Sequence, residues 1–340
     1  MQYVRFGRSG LKVSRYTLGS MTFGNGEGIW SSIAGLPVEE AKRIISVALD
    51  KGINLVDTAD VYSQGQSEIV LGRSLKAMSV NDSSMMIATK VRLKTGNGPN
   101  DVGLGRSHII RTVETSLKRL QRDHIDLLQL HDRDLLTPLD ETLRALDDLV
   151  TQGKVRHIGA CNFSAAEMTQ ADSYAQQHGK ARFTSNQVHY SLACRDIEFD
   201  IARAARDGDH ALMIWSPLSG GYLSGKYVKK THTDSHQGRR STLNFPPVDM
   251  ARVDPVVDEL IAIGNEMNCS PATVAHAWLL GRPEVTTIIV GAKNEQQLLQ
   301  NLEAENLILA PEHRQKLDTL SQPAVPYPYW MQLFHDKDRA

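Results

Sequence analysis

Four residues in the first half of the chain carry groups suited to acid–base work at a carbonyl: Asp57, Tyr62, Lys90 and His131. A phenol with its free pKa near ~10 is a poor acid at neutral pH. A neighbouring ammonium favours the phenolate and lowers that pKa, and a carboxylate beside the ammonium keeps it charged and oriented. An imidazole within reach can hydrogen-bond a substrate oxygen and fix it near the phenol. The set suits protonating a carbonyl oxygen while a hydride arrives at its carbon. Singly, each residue has a plainer role: a turn-capping Asp, a surface Tyr, a solvated Lys, a structural His. Joint placement on one face is what would make them a site.

Three short apolar runs would have to supply that placement. Ile53–Val56 gives way to Asp57 and then to a polar loop containing Tyr62; Met86–Thr89 closes on Lys90; Ile125–Leu130 closes on His131. Such runs, bounded by turn residues, read as buried strands. Further runs fall at Arg15–Gly19, Val155–Gly159, Thr184–Val188, Leu212–Trp215 and Thr287–Val290. Helical periodicity starts near Pro37, Gln66, Ser107, Pro138, Ser164 and Asp196, with Ser107 and Ser164 as N-caps. Two more helices are expected from Asp254 to Met267 and from Pro271 to Leu280, and another from Asn294 to about Ala304. About eight strand–helix units are what a closed (β/α)8 TIM barrel requires, and its strand ends share the face where active sites lie. An open doubly wound sheet would alternate likewise, but it should carry a glycine fingerprint after its first strand, which this chain lacks. Tyr3–Phe6 and Leu11–Val13 flank a turn-rich Gly7–Gly10 and predict an N-terminal β-hairpin ahead of the barrel. Extra helices and long loops, above all the polar segment 219–250, are expected on the C-terminal face.

The 340 residues suit one α/β barrel domain, and nothing in the composition marks a second. A formal charge of −1 offers no electrostatic reason to expect a nucleic acid or an anionic membrane. The three cysteines, Cys161, Cys194 and Cys269, fit neither a disulfide framework nor a CxxC metal site, so a reducing cytoplasm is the simplest location. No apolar run approaches the ~20 residues of a membrane span. Oligomerisation is possible and not indicated.

In this light the chain resembles the aldo-keto reductase superfamily along nearly its whole length. The resemblance lies in Leu18–Gly24, Asp57-Thr-Ala-Asp-Val-Tyr62, Ala88-Thr-Lys90, Asp126–His131, Gly153–Gly159, Asn186-Gln-Val188, Trp215–Lys226 and Val290–Gln297. It implies a (β/α)8 barrel that binds NADP(H) without a Rossmann fold and reduces a small-molecule carbonyl. It also implies Tyr62 as proton donor, Lys90 and Asp57 as its tuning pair, and His131 as the residue orienting the carbonyl. For the cofactor it implies Gly19, Met21 and Asp57 among the binding positions, with Asn162 and Gln187 on the nicotinamide carboxamide and Trp215 stacked on the ring. Ser216, Pro217, Leu218, Gly220 and Lys226 then belong to the loop over the pyrophosphate, with Arg239 nearby. Gly291, Lys293, Gln297 and Asn301 form the adenosine end, where a helix start and Lys293 favour NADP(H) over NAD(H). Trp30, Tyr62 and His131 would line the substrate pocket, and the aromatic tail with Tyr327, Tyr329 and Trp330 could line it too. Cys161 departs from the family, which usually has Ser before the carboxamide-binding Asn; a thiol is the weaker hydrogen-bond partner.

Two decoys fall away. Gly220–Lys226 fits G-x-x-x-x-G-K, but Tyr227 stands where Ser or Thr should ligate Mg²⁺. His232 and His236 lie in a charged loop without a clear helix, so no metal site is expected. A rival of a different class is a regulatory NADP(H)-binding subunit, since the chain also resembles potassium-channel β subunits. His131 argues for the enzyme, because that group is similar but carries Asn there.

Overall fold

In the computed structural model, which describes residues 1–227, 240 and 243–336, eight parallel strands close into a barrel. They are β3 (Tyr16–Gly19), β4 (Leu55–Asp57), β5 (Met86–Val91), β6 (Ile125–Leu130), β7 (Val155–Cys161), β8 (Phe183–His189), β9 (Ala211–Trp215) and β10 (Val285–Gly291). Each pairs with its successor, and β10 returns to β3. The expected hairpin is β1 (Tyr3–Arg5) paired antiparallel with β2 (Lys12–Ser14).

Side-chain parity along the strands organises the interior. Phe6 and Val13 of the hairpin join Leu55, Ala88, Leu127 and Met213 in one buried apolar cluster inside the barrel. Two residues further along the same strands the inward positions turn polar: Leu55 gives way to Asp57, Ala88 to Lys90, and Leu127 to Gln129. The barrel is thus dry at one end and polar at the end where its strands finish. The hairpin seals the dry end. Gly7, at φ 52°, makes that docking possible, because a Cβ there would lie 2.3 Å from the Thr184 carbonyl oxygen and 2.7 Å from the Ala211 nitrogen.

Helices cover the outside. Helix α1 (Val38–Asp50) buries Ala41, Ile44, Ile45 and Ala48, the i, i+3, i+4, i+7 stripe of an amphipathic helix. Helices α2 (Gln66–Ala77) and α3 (Arg106–Leu120) follow β4 and β5 in the same way. Full burial of each large aliphatic side chain stabilises by about 1.5–3 kcal/mol before entropy is charged against it. No helix among the described residues is long and apolar enough to cross a membrane.

Several boundaries differ from those expected. Ser164 is an N-cap with a full capping box to Glu167. Ser107 is not a cap: α3 begins at Arg106, and the Arg106 N–H donates to Glu141 Oε1 at 2.9 Å. A carboxylate from the next helix thus does the work of a local hydroxyl. Asp196 opens only a 3-10 turn (Asp196–Glu198), pinned by Arg195 on Glu198, and the α-helix starts at Ile201. The helix expected from Asp254 starts at Met250 with Asp249 as its cap, so Pro255 lies inside it. The aromatic tail does not reach the end where the barrel strands finish. Tyr329 stacks on Phe199 at 5.6 Å, and its helix (Tyr329–Asp336) lines a cavity with Arg5 and Gly7 of the hairpin.

Candidate active site

Strand register brings Asp57, Lys90 and His131 to one end of the barrel, where Asp57 pairs with Ala88 and the His131 N–H donates to the Val91 carbonyl. Lys90 is fully buried and its three ammonium protons have three acceptors: Asp57 Oδ2 at 2.5 Å, the Thr58 carbonyl at 2.8 Å and the Tyr62 hydroxyl at 3.2 Å. The Lys90 ammonium also sits 4.8 Å from the Tyr62 ring centroid. Burial is the largest single influence and disfavours that ammonium, but the charge and hydrogen bond of Asp57 together with Tyr62 and Cys161 outweigh it, and the Lys90 pKa lies above the ordinary lysine value.

Asp57 is locked from the other side. Its Oδ1 accepts from Gln129 Nε2 at 3.0 Å and from Gln187 Nε2 at 2.9 Å. Gln129 escapes a search for charged groups, yet it stands two residues before His131 on one strand, and strand parity alone points it to the same side.

Tyr62 opens a 3-10 turn just beyond β4, with its ring edge-on to His131 at 5.8 Å and near Trp30 at 5.7 Å. The expectation that the ammonium makes the phenol more acidic holds for the direction of that one interaction. Burial is larger and raises the Tyr62 pKa, with Lys90 offsetting part of the rise. The phenol therefore keeps its proton at neutral pH, the state a donor needs. Burial, reinforced by the cations of Lys90 and Arg92, pushes His131 down to about 3. The ring is neutral, and its Nδ1 is buried without a partner among the described residues.

His276 is fully buried and His189 half-buried, and both are pushed down to about 4, chiefly by burial. The unfolded chain takes up protons first as pH falls through the ordinary histidine range, so stability rises with pH in this window. The contribution is present above about pH 6.5 and is lost on acidification toward pH 4. Denaturant midpoints should therefore fall between neutral pH and about pH 5. Equal midpoints would show that these rings are not held neutral.

The remaining expected positions among the described residues lie around the same end. Gly19 pairs with both Asp57 and Gly291, and Met21 lies in the following loop, whose Thr22 hydroxyl donates to the Ala292 carbonyl at 3.0 Å. Asn162, left-handed at φ 58°, donates to the His131 carbonyl at 3.0 Å and accepts from Trp215 Nε1 at 2.9 Å. Gln187 lies buried beneath it and spends its amide protons on Asp57 and Gln129, leaving Oε1 as the atom it can offer upward. Cys161 is fully buried, and burial raises its pKa.

Trp215 stacks on His189 at 4.6 Å and on Phe245 at 5.8 Å; neither partner was marked by the sequence. After Trp215 the loop runs through left-handed Ser216, Ser219, Gly220 and Gly221, with Pro217 buried, Leu218 half-buried and Lys226 exposed. Arg240 donates to the carbonyls of Ser219 at 3.0 Å and Pro246 at 2.9 Å, so it braces this loop. Arg239, expected nearby, lies outside the described residues, as do His232 and His236. Among the described residues no group of three or more His, Cys, Asp or Glu side chains could hold a metal ion.

At the exit of β10, Lys293 precedes the cap of the helix Glu295–Leu302, on which Gln297 and Asn301, four apart, share one face. Gln297 Oε1 accepts from the Lys293 N–H at 2.8 Å, and Asn301 donates to the Gly291 carbonyl at 3.3 Å. Asn294 caps that helix.

The barrel and the matching family model, which covers residues 16–322 and is described as the aldo/keto reductase family, define the class: the chain belongs to this family of oxidoreductases. Over 330 residues it is 34% identical to a probable voltage-gated potassium channel subunit beta of Oryza sativa subsp. japonica, spanning 95% of this chain and 97% of that one. It is 34% identical over 320 residues to the uncharacterized oxidoreductase YrpG of Bacillus subtilis (92% and 93% covered). Versiconal hemiacetal acetate reductase of Aspergillus parasiticus is 32% identical over 343 residues (96% and 98% covered).

Proposed function

We propose that the protein is an NADP(H)-dependent reductase of small-molecule aldehydes or ketones, with Tyr62 as the proton donor. The observation that carries this reading is the Tyr62 hydroxyl 3.2 Å from the Lys90 ammonium, which is itself held by Asp57 at 2.5 Å. The bound dinucleotide would supply the hydride. The residues present fit such a group in kind: two amides at Asn162 and Gln187, an indole at Trp215, and a cation beside a capped helix start at Lys293. Lys293 and that helix start favour a phosphate at the adenosine end, hence NADP(H) over NAD(H).

The chain's own groups divide the remaining work. Neutral His131 donates a hydrogen bond to the carbonyl oxygen without competing for its proton. Tyr62 gives its proton to that oxygen as charge develops there, and Lys90 stabilises the phenolate left behind. Asp57, Gln129 and Gln187 hold the lysine in place. Trp30 forms an apolar wall beside Tyr62. The free cysteines suit a reducing cytoplasm.

A second reading is a nicotinamide-binding regulatory subunit, favoured by the similarity to a protein named as a potassium channel subunit. A carbonyl panel run with NADPH and NADH side by side separates the two. The reductase reading expects turnover with NADPH exceeding that with NADH. NADPH binding with no turnover on any aldehyde or ketone would favour the regulatory reading, and no binding of either cofactor would overturn both.

A further inference from the structure

Tyr62 is followed by three left-handed residues: Ser63 at φ 49°, Gln64 at φ 56° and Gly65 at φ 87°. Two successive non-glycine residues in that region are strained, and such backbone persists only where its surroundings over-determine it. The Ser63 hydroxyl donates to the Phe23 carbonyl at 3.2 Å, and the rest of the surroundings include Arg119, in the last turn of α3. Its Nη1 donates to the Asp60 carbonyl at 3.2 Å and to Glu68 Oε2 at 3.2 Å, one contact on each side of Tyr62 in the chain. Its guanidinium fills the space above Gly65, where a Cβ would lie 2.3 Å from Arg119 Cζ.

The grip extends to the strand that carries the amine. Glu68 is fully buried, and its other oxygen accepts from the hydroxyl of Thr89, the neighbour of Lys90, at 2.7 Å. The Asp60 N–H donates to the Lys90 carbonyl at 3.3 Å. None of Arg119, Glu68 and Thr89 figures in the reaction as read above. A planar guanidinium can serve two acceptors and pack flat against a glycine, which an ammonium point charge does not reproduce.

We propose that Arg119 is a positioning residue: it clamps the Asp60–Glu68 segment so that the Tyr62 hydroxyl stays within hydrogen-bond reach of Lys90. Its kinetic consequence rests on the reductase reading; its structural one does not.

The test uses the full chain as Arg119→Ala, Arg119→Lys and Gly65→Ala. Three readouts are kcat with NADPH, NADPH affinity by quenching of tryptophan fluorescence, and amide exchange by residue. Misplacing a reacting group by about an ångström costs on the order of 10²-fold, so kcat of Arg119→Ala should fall on that scale with NADPH affinity unchanged. Exchange should accelerate over 60–68 and not in the other strands. Millimolar guanidinium ion should restore part of the lost kcat in Arg119→Ala, and Arg119→Lys should remain impaired. Because Gly65→Ala displaces the same guanidinium, the double variant with Arg119→Ala should lose less than the sum of the singles. The proposal is overturned by parental kcat and parental exchange in Arg119→Ala. It is equally overturned if kcat, NADPH affinity and protection across the whole barrel fall together. Should the parent turn over no carbonyl at all, the reductase reading fails, and exchange over 60–68 still decides the clamp.

Discussion

Replacing Tyr62 by Phe is expected to lower kcat for NADPH-dependent carbonyl reduction by ~10²–10⁴-fold, the usual worth of a positioned general acid. The change deletes one oxygen and keeps the ring, so the contacts to Trp30 and His131 survive. Lys90 loses one of three acceptors and retains Asp57 and the Thr58 carbonyl, which keeps the ion pair intact. NADPH affinity should therefore match the parent, and unfolding midpoints should move little. The specific sign is a fall in kcat without a matching fall in cofactor binding. Turnover within a few-fold of the parent would remove Tyr62 from the role of acid, since the phenol is the group beside His131 that keeps a transferable proton at neutral pH.

Replacing Lys90 by Met is expected to abolish turnover and also to destabilise the fold. Breaking a buried ion pair by removing one partner costs about 3–5 kcal/mol, because the other charge is left uncompensated. Asp57 keeps its bonds from Gln129 and Gln187, which places the expected loss toward the lower end. The pair's pH dependence follows from the raised Lys90 pKa: its stabilisation is complete below the ordinary lysine range and is lost only as pH climbs above it. The double variant Asp57→Leu with Lys90→Met should regain much of the stability and none of the activity, because an apolar pair can replace a buried ion pair. Urea unfolding of the three proteins checks this. A single variant as stable as the parent would mean that the ion pair, for all its burial, contributes little.

Much of this architecture was legible in one dimension. Short apolar runs separated by amphipathic helices produce an eight-strand barrel because strands covered on both faces are rich in apolar residues and covering helices repeat every 3.6. The same pattern puts Asp57, Lys90 and His131 at strand exits, so their meeting follows from topology. Ser164 was readable as a cap because a capping box is a local device.

What escaped was non-local. Glu141 caps α3 from another helix, so Ser107 misled. The tail turned to the hairpin end because Phe199 offered Tyr329 a face there, a contact between residues far apart in the chain. Gln129 is uncharged and Arg119 lies in none of the matching stretches, and their roles exist only once Asp57 or the left-handed turn after Tyr62 stands beside them. Sequence by itself determined the fold, the family and the residue types gathered at one end, because hydrophobic period and strand order are properties of the chain. Only the tertiary structure decided that burial outweighs Lys90 at the Tyr62 phenol and that His131 is neutral, because desolvation depends on what surrounds a group in space.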